Sequence, residues 1–72
     1  MKKEEKSVAE ILQRIIEKRR GLGLSQKDLA LELNLSFNGY FKIEKGYTQL
    51  SMHRLFQISD ALNVSPSFFL RE

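Results

Sequence analysis

Asn38, Lys42 and Lys45 follow one another at spacings of four and three residues, with Phe37 and Phe41 alongside. If the segment is a helix anchored inward by Tyr40 and Ile43, 100° per residue sets Asn38, Lys42 and Lys45 on its outer face. Asn can pair with adenine, Lys can approach guanine or a phosphate, and an aromatic edge can touch a thymine methyl. Such a face is poor core material and suits a major groove. The plainer reading is a solvated face, with Phe37 and Phe41 as satellite core or a protein-binding patch. Other chemistry is not suggested. No Ser-His-acid set, phosphate-cradling glycine loop or acid pair stands out at a helical spacing that would share a pocket, and there is no cysteine. His53 is the single histidine, so neither a metal site nor a cofactor is expected.

The elements that must position this face are written as joints. Leu22-Gly23-Leu24-Ser25, Leu33-Asn34-Leu35-Ser36 and Leu62-Asn63-Val64-Ser65 share one pattern. Gly or Asn accepts the left-handed backbone that ends a helix. The Ser that follows can cap the next helix. The apolar residue before each Ser should pack on the residue four positions beyond that Ser, as a hydrophobic staple. This pairs Leu24 with Leu29, Leu35 with Tyr40 and Val64 with Phe69, and Leu50-Ser51 repeats the device with Leu55.

The pattern predicts an all-α bundle of five short helices. Residues 1–6 read as a flexible charged terminus and 7–72 as a single domain. Ser7 with Glu10 predicts a capping box opening a first helix that carries Val8, Ile11, Leu12 and Ile15 and ends near Arg20. Ser25 opens a second to about Leu33, and Ser36 a third that Gly46 ends. Ser51 opens a fourth with Met52, Leu55, Phe56, Ile58 and Leu62 apolar, and Ser65-Pro66 a short last one. Between the second and third helices lie only Asn34 and Leu35, which predicts a steep, rigid helix-turn-helix.

Bulk properties agree. Seventy-two residues make one small domain. No apolar run reaches the roughly 20 residues of a membrane span, and no secretory leader is visible, so a soluble cytoplasmic protein is expected. The net charge is +3, and Lys18 to Arg54 contains seven basic and three acidic residues, a net of +4. A basic middle suits a polyanion.

Leu24-Ser25-Gln26, Asp28-Leu29-Ala30, Ser36 and Ile43-Glu44-Lys45-Gly46 resemble the Cro/XRE-type (lambda repressor-like) helix-turn-helix family of phage repressors and bacterial regulators. The likeness continues through Leu55, Ile58, Ala61-Leu62 and Val64-Ser65, covering about Leu12 to Leu70. It implies a four- or five-helix domain that binds operator DNA as a two-fold homodimer. By the same resemblance, Phe37, Asn38 and Lys42 fall at base-reading positions, with Phe41 beside them. Gln26 matches a position that touches the DNA backbone and braces the third helix, and Ser25 a phosphate-binding helix start. Arg19 and Glu44 match a buried salt bridge. Lys27, Lys45 and Tyr47 are further candidates for the backbone. Tyr47 and Thr48 stand where the family often has basic residues, and Gly39 lies inside the recognition helix.

Phe68 and Leu70 are candidate dimer contacts, alternatively core. The function implied is a sequence-specific transcriptional regulator: a repressor, or the antitoxin or controller of a small operon with a toxin or other protein partner. The alternative is a protein-interaction module that reuses this fold.

Overall fold

The structure, a computed structural model, describes residues 2–71, with side chains from residue 8 onward. Five helices follow one another: α1 (Lys2–Gly21), α2 (Gln26–Glu32), α3 (Phe37–Glu44), α4 (Met52–Ala61) and α5 (Ser67–Leu70). There is no strand among the described residues.

Each of the first four helices ends in the same way. Gly23, Asn34, Gly46 and Asn63 have φ of 76°, 60°, 77° and 62°. The next residue's N–H turns back to a carbonyl five residues earlier: Leu24 to Arg19, Leu35 to Ala30, Tyr47 to Lys42 and Val64 to Ser59. These are Schellman closures, which satisfy the orphan carbonyls of a helix end. At three joints the closing residue (Leu24, Leu35 or Val64) also immediately precedes the next joint serine. One apolar side chain therefore finishes one helix and staples the next. All three, with Leu50, pack against the core that holds Leu29, Tyr40, Leu55 and Phe69.

The caps hold at three joints. Ser25, Ser36 and Ser51 hydroxyls accept from the N–H groups of Asp28, Gly39 and Arg54. Ser65 departs from expectation. Its hydroxyl bonds that of Ser67 at 2.8 Å, and α5 starts after Pro66 with no side-chain cap. Pro66 already has helical dihedrals, and the Ser65 carbonyl accepts from Phe68 N–H, so the turn closes through backbone alone.

Three other expectations are corrected. α1 runs through Ser7 from Lys2, so Ser7 is an interior residue; its side chain, and with it the Ser7–Glu10 contact, lies outside the described side chains, as does Met1 entirely. Lys and Glu are good helix formers and no Gly or Pro interrupts Lys2–Lys6, so propensity carries the helix past the cap signal. In α4, Met52 and Phe56 are exposed, and the inward row is Leu55, Ile58, Ser59 and Leu62. Met52 and Phe56, four apart, share the outward stripe. The sequence hides Ser59 as core because its hydroxyl donates to the Leu55 carbonyl at 2.8 Å, which removes the cost of burying it.

The core is Ile15, Leu29, Ala30, Leu33, Tyr40, Ile43, Leu55, Ile58, Leu62 and Phe69. Val8, expected on the inward row of α1, is exposed, whereas Ile11 and Leu12 pack on the core edge.

Candidate nucleic-acid interface

α3 has two unlike sides. Tyr40, Ile43 and Glu44 are buried, and Phe37, Asn38, Lys42 and Lys45 are exposed. Three consecutive turns align Phe37, Phe41 and Lys45 as one row, because residues four apart stack along a helix. The two rings lie 6.0 Å apart between centroids at 25°, and Lys45 Nζ stands 5.6 Å from the Phe41 centroid. Asn38 and Lys42 form the adjoining row. Tyr47, just past the helix, is 74% exposed.

The N-terminus of this helix is capped by Ser36. A Cβ on Gly39 would stand 3.1 Å from Ser36 Oγ, the atom that accepts the Gly39 N–H. Glycine therefore keeps the cap uncrowded, which accounts for a residue that is otherwise unfavourable inside a helix.

The opposite end is clamped by a buried polar network. Arg19 Nε and Nη2 donate to the two Glu44 oxygens at 2.7 and 3.3 Å, and Arg19 Nη1 donates to the Leu24 carbonyl at 2.9 Å. Gln26 Nε2 donates to Glu44 Oε1 at 2.9 Å, and the Tyr40 hydroxyl donates to Oε2. Glu44 thus ties α1, α2 and α3 together. No buried side-chain polar atom among the described residues lacks a partner.

Burial by itself pushes the Glu44 carboxyl up, but the bonds from Arg19, Tyr40 and Gln26 outweigh it and hold the group below the ordinary carboxylate range. Burial, then the neighbouring carboxylate, pushes the Tyr40 phenol well above its usual value, so it stays a donor. For Arg19 burial works against the charge, and the Glu44 partner more than restores it.

Tyr40 and Arg14 are what sequence reasoning missed. Tyr40 reads as a purely apolar anchor, though its spacing of four from Glu44 was a signal for the bond. Arg14 reaches the carbonyls of Phe69 and Arg71 across 55 and 57 residues, a contact no local pattern encodes.

The start of α2 is occupied differently from a bare anion site. Ser25 N–H donates to Asp28 Oδ2 at 2.9 Å while Asp28 N–H returns to Ser25 Oγ, a complete capping box. The Ser25 backbone N–H, then its hydroxyl, lowers the Asp28 carboxyl below its ordinary value. Of the first-turn amides, those of Gln26 and Lys27 remain outside the box, and the Lys27 side chain is exposed. Phe68 is half-buried, with Lys18 Nζ and Arg71 Cζ at 5.4 and 4.9 Å from its ring centroid; Leu70 is 46% exposed. Among the described residues no group of His, Cys, Asp or Glu could hold a metal ion, and no helix is long and apolar enough to cross a membrane.

The family model for helix-turn-helix proteins matches residues 15–69, from the buried Ile15 of α1 to the buried Phe69 of α5. The chain belongs to the Cro/XRE-type helix-turn-helix family. As a helix-turn-helix domain it is 41% identical over 59 residues to an uncharacterized HTH-type transcriptional regulator of Sinorhizobium fredii, covering 82% of this chain and 41% of that protein. A second such regulator from the same organism is 38% identical over 64 residues, covering 89% and 45%. A protein of Rhodospirillum rubrum named as an uncharacterized transcriptional regulator in an ATPase CF(0) region is 34% identical over 64 residues, covering 89% and 59%. The chain therefore spans about half the length of these curated relatives, between 41% and 59%. No solved structure matches it at a significant level.

Proposed function

We propose that this helix-turn-helix domain is a non-catalytic DNA-binding regulator that inserts α3 into the major groove of an operator. The observation that carries the reading is the division of α3: one side is fastened through Tyr40, Ile43 and Glu44, and the other presents Phe37, Asn38, Lys42 and Lys45 to solvent. In this role Asn38 and Lys42 read base edges, with Phe37 and Phe41 in apolar contact beside them. Ser25, Gln26, Lys27, Lys45 and Tyr47 hold the DNA backbone. Gln26 gives one amide hydrogen to Glu44 and keeps the second for a phosphate oxygen. Arg19 and Glu44 neutralise each other in the interior, so from Lys18 to Arg54 six basic residues face two acidic ones, Asp28 and Glu32.

The regulator acts as a homodimer joined near Phe68 and Leu70, its recognition helices about 34 Å apart. A cytoplasmic repressor, or the antitoxin or controller of a small operon, is the biological setting this fits. The names of the relatives, transcriptional regulators, support the regulatory role.

The test is selection of bound duplexes from a random-sequence library, with affinity then measured against salt. Log K should fall in proportion to the phosphates contacted. Asn38→Ala should lose discrimination at one base pair, about 1–3 kcal/mol, whereas Lys45→Ala should weaken all sequences alike. The exposed Phe37, stacked on the half-buried Phe41, together with the exposed Tyr47, favours a second reading, a protein partner. Binding of that kind would scarcely respond to salt.

A further inference from the structure

We propose that Phe37 and Phe41 act as one unit that reads the C5-methyl groups of two thymines in each half-site. The inference rests on the DNA-binding role proposed above and names the base feature that role selects. Phe37 is 51% exposed at the first turn of α3, and Phe41 is held between it and the Lys45 ammonium. Phe37 is thus held outside the core, and Phe41 is half-buried with its ring against Phe37 on one side and the Lys45 ammonium nearby. A ring pressed on a base-edge donor or acceptor would strip its water without replacing the hydrogen bond, which is unfavourable. The apolar feature that the major groove offers is the thymine methyl.

The centroid separation of 6.0 Å exceeds a single base step of about 3.4 Å, so the two rings address separate bases. The polar row beside them fits the same choice. An A·T pair shows a thymine methyl and, on its adenine, the N6 and N7 pattern that Asn38 can bond. The half-site is thus A·T-rich, with its thymines selected for their methyl groups.

The experiment takes a duplex selected from a random library and replaces its thymines one at a time with deoxyuridine, which lacks only the methyl. Two positions per half-site should lose about fourfold in affinity each, the effect of leaving one methyl-sized group unburied. In Phe37→Ala, whose site is on the surface and whose fold is checked by circular dichroism, the penalty at the base under Phe37 should disappear and the one under Phe41 should shrink, because Phe41 loses the ring it stacks on. Indifference to deoxyuridine at every position would overturn the methyl reading, as would penalties unchanged in Phe37→Ala, while leaving DNA binding intact. If no duplex is retained even in dilute buffer, the underlying DNA-binding role fails as well.

Discussion

Glu44 is the residue on which the site's rigidity depends. It accepts from side chains on three helices, and each donor is itself placed by a different element. Arg19→Ala leaves that carboxylate buried without its charge partner and should destabilise the domain by about 3–5 kcal/mol in urea unfolding. Arg19→Lys should not restore it, because an ammonium cannot hold both carboxylate oxygens and the Leu24 carbonyl in the same plane. The pH dependence follows from the sign of the shift. Glu44 is lowered from 4.5 in the folded chain, so the unfolded chain binds its proton first as pH falls. Its stabilisation is complete above that ordinary value and is lost as pH drops through the lower folded one. Asp28 acts in the same direction from 3.8. Thermal midpoints measured downward from about pH 7 should decline below the ordinary carboxylate range, and Glu44→Gln should flatten part of that decline.

At the scale of elements, the joints show why short helices hold their angles. The turn between α2 and α3 closes with Leu35 N–H on Ala30 at 2.8 Å, and Leu35 then packs on the core. Asn34 at φ 60° makes this closure available. Asn34→Ala should lower stability by about 1–2 kcal/mol, and Asn34→Gly should be close to neutral, in paired thermal melts. Serines that look equivalent in sequence should separate by the same measurement. Ser36→Ala removes a real cap and should cost about 1 kcal/mol. Ser65→Ala removes only a hydroxyl pair and should cost much less. The joints were legible because their chemistry is local. The start of α1 was not, because propensity along Lys2–Lys6 overrode the cap signal at Ser7.

For the whole molecule, a radius of gyration of 11.4 Å matches the roughly 11 Å of a compact chain of this length. A core this small leaves several large apolar groups outside, among them Leu31, Met52, Phe56 and Leu70. The proposed dimer makes a prediction at this scale. Leu70→Lys should convert dimer to monomer in sedimentation and weaken binding to a two-half-site duplex. A single half-site should be bound as before. Sedimentation that does not depend on Leu70 would move the contact elsewhere.

Sequence alone determined the class of fold, four of the five helix starts to within a residue or two, and the outward row of α3. Those features depend on local backbone chemistry and on 3.6-residue periodicity, both of which are written within a few neighbouring residues. Tertiary structure decided the rest. It chose which apolar residues of α4 enter the core, buried Ser59, directed Arg14 to the far end of the chain and recruited Tyr40 to Glu44. The Arg14 contact spans 55 residues and leaves no trace in local spacing. The four-residue spacings of Tyr40 to Glu44 and Ser59 to Leu55 only permit those bonds, and which face of each helix is buried is set when the helices dock.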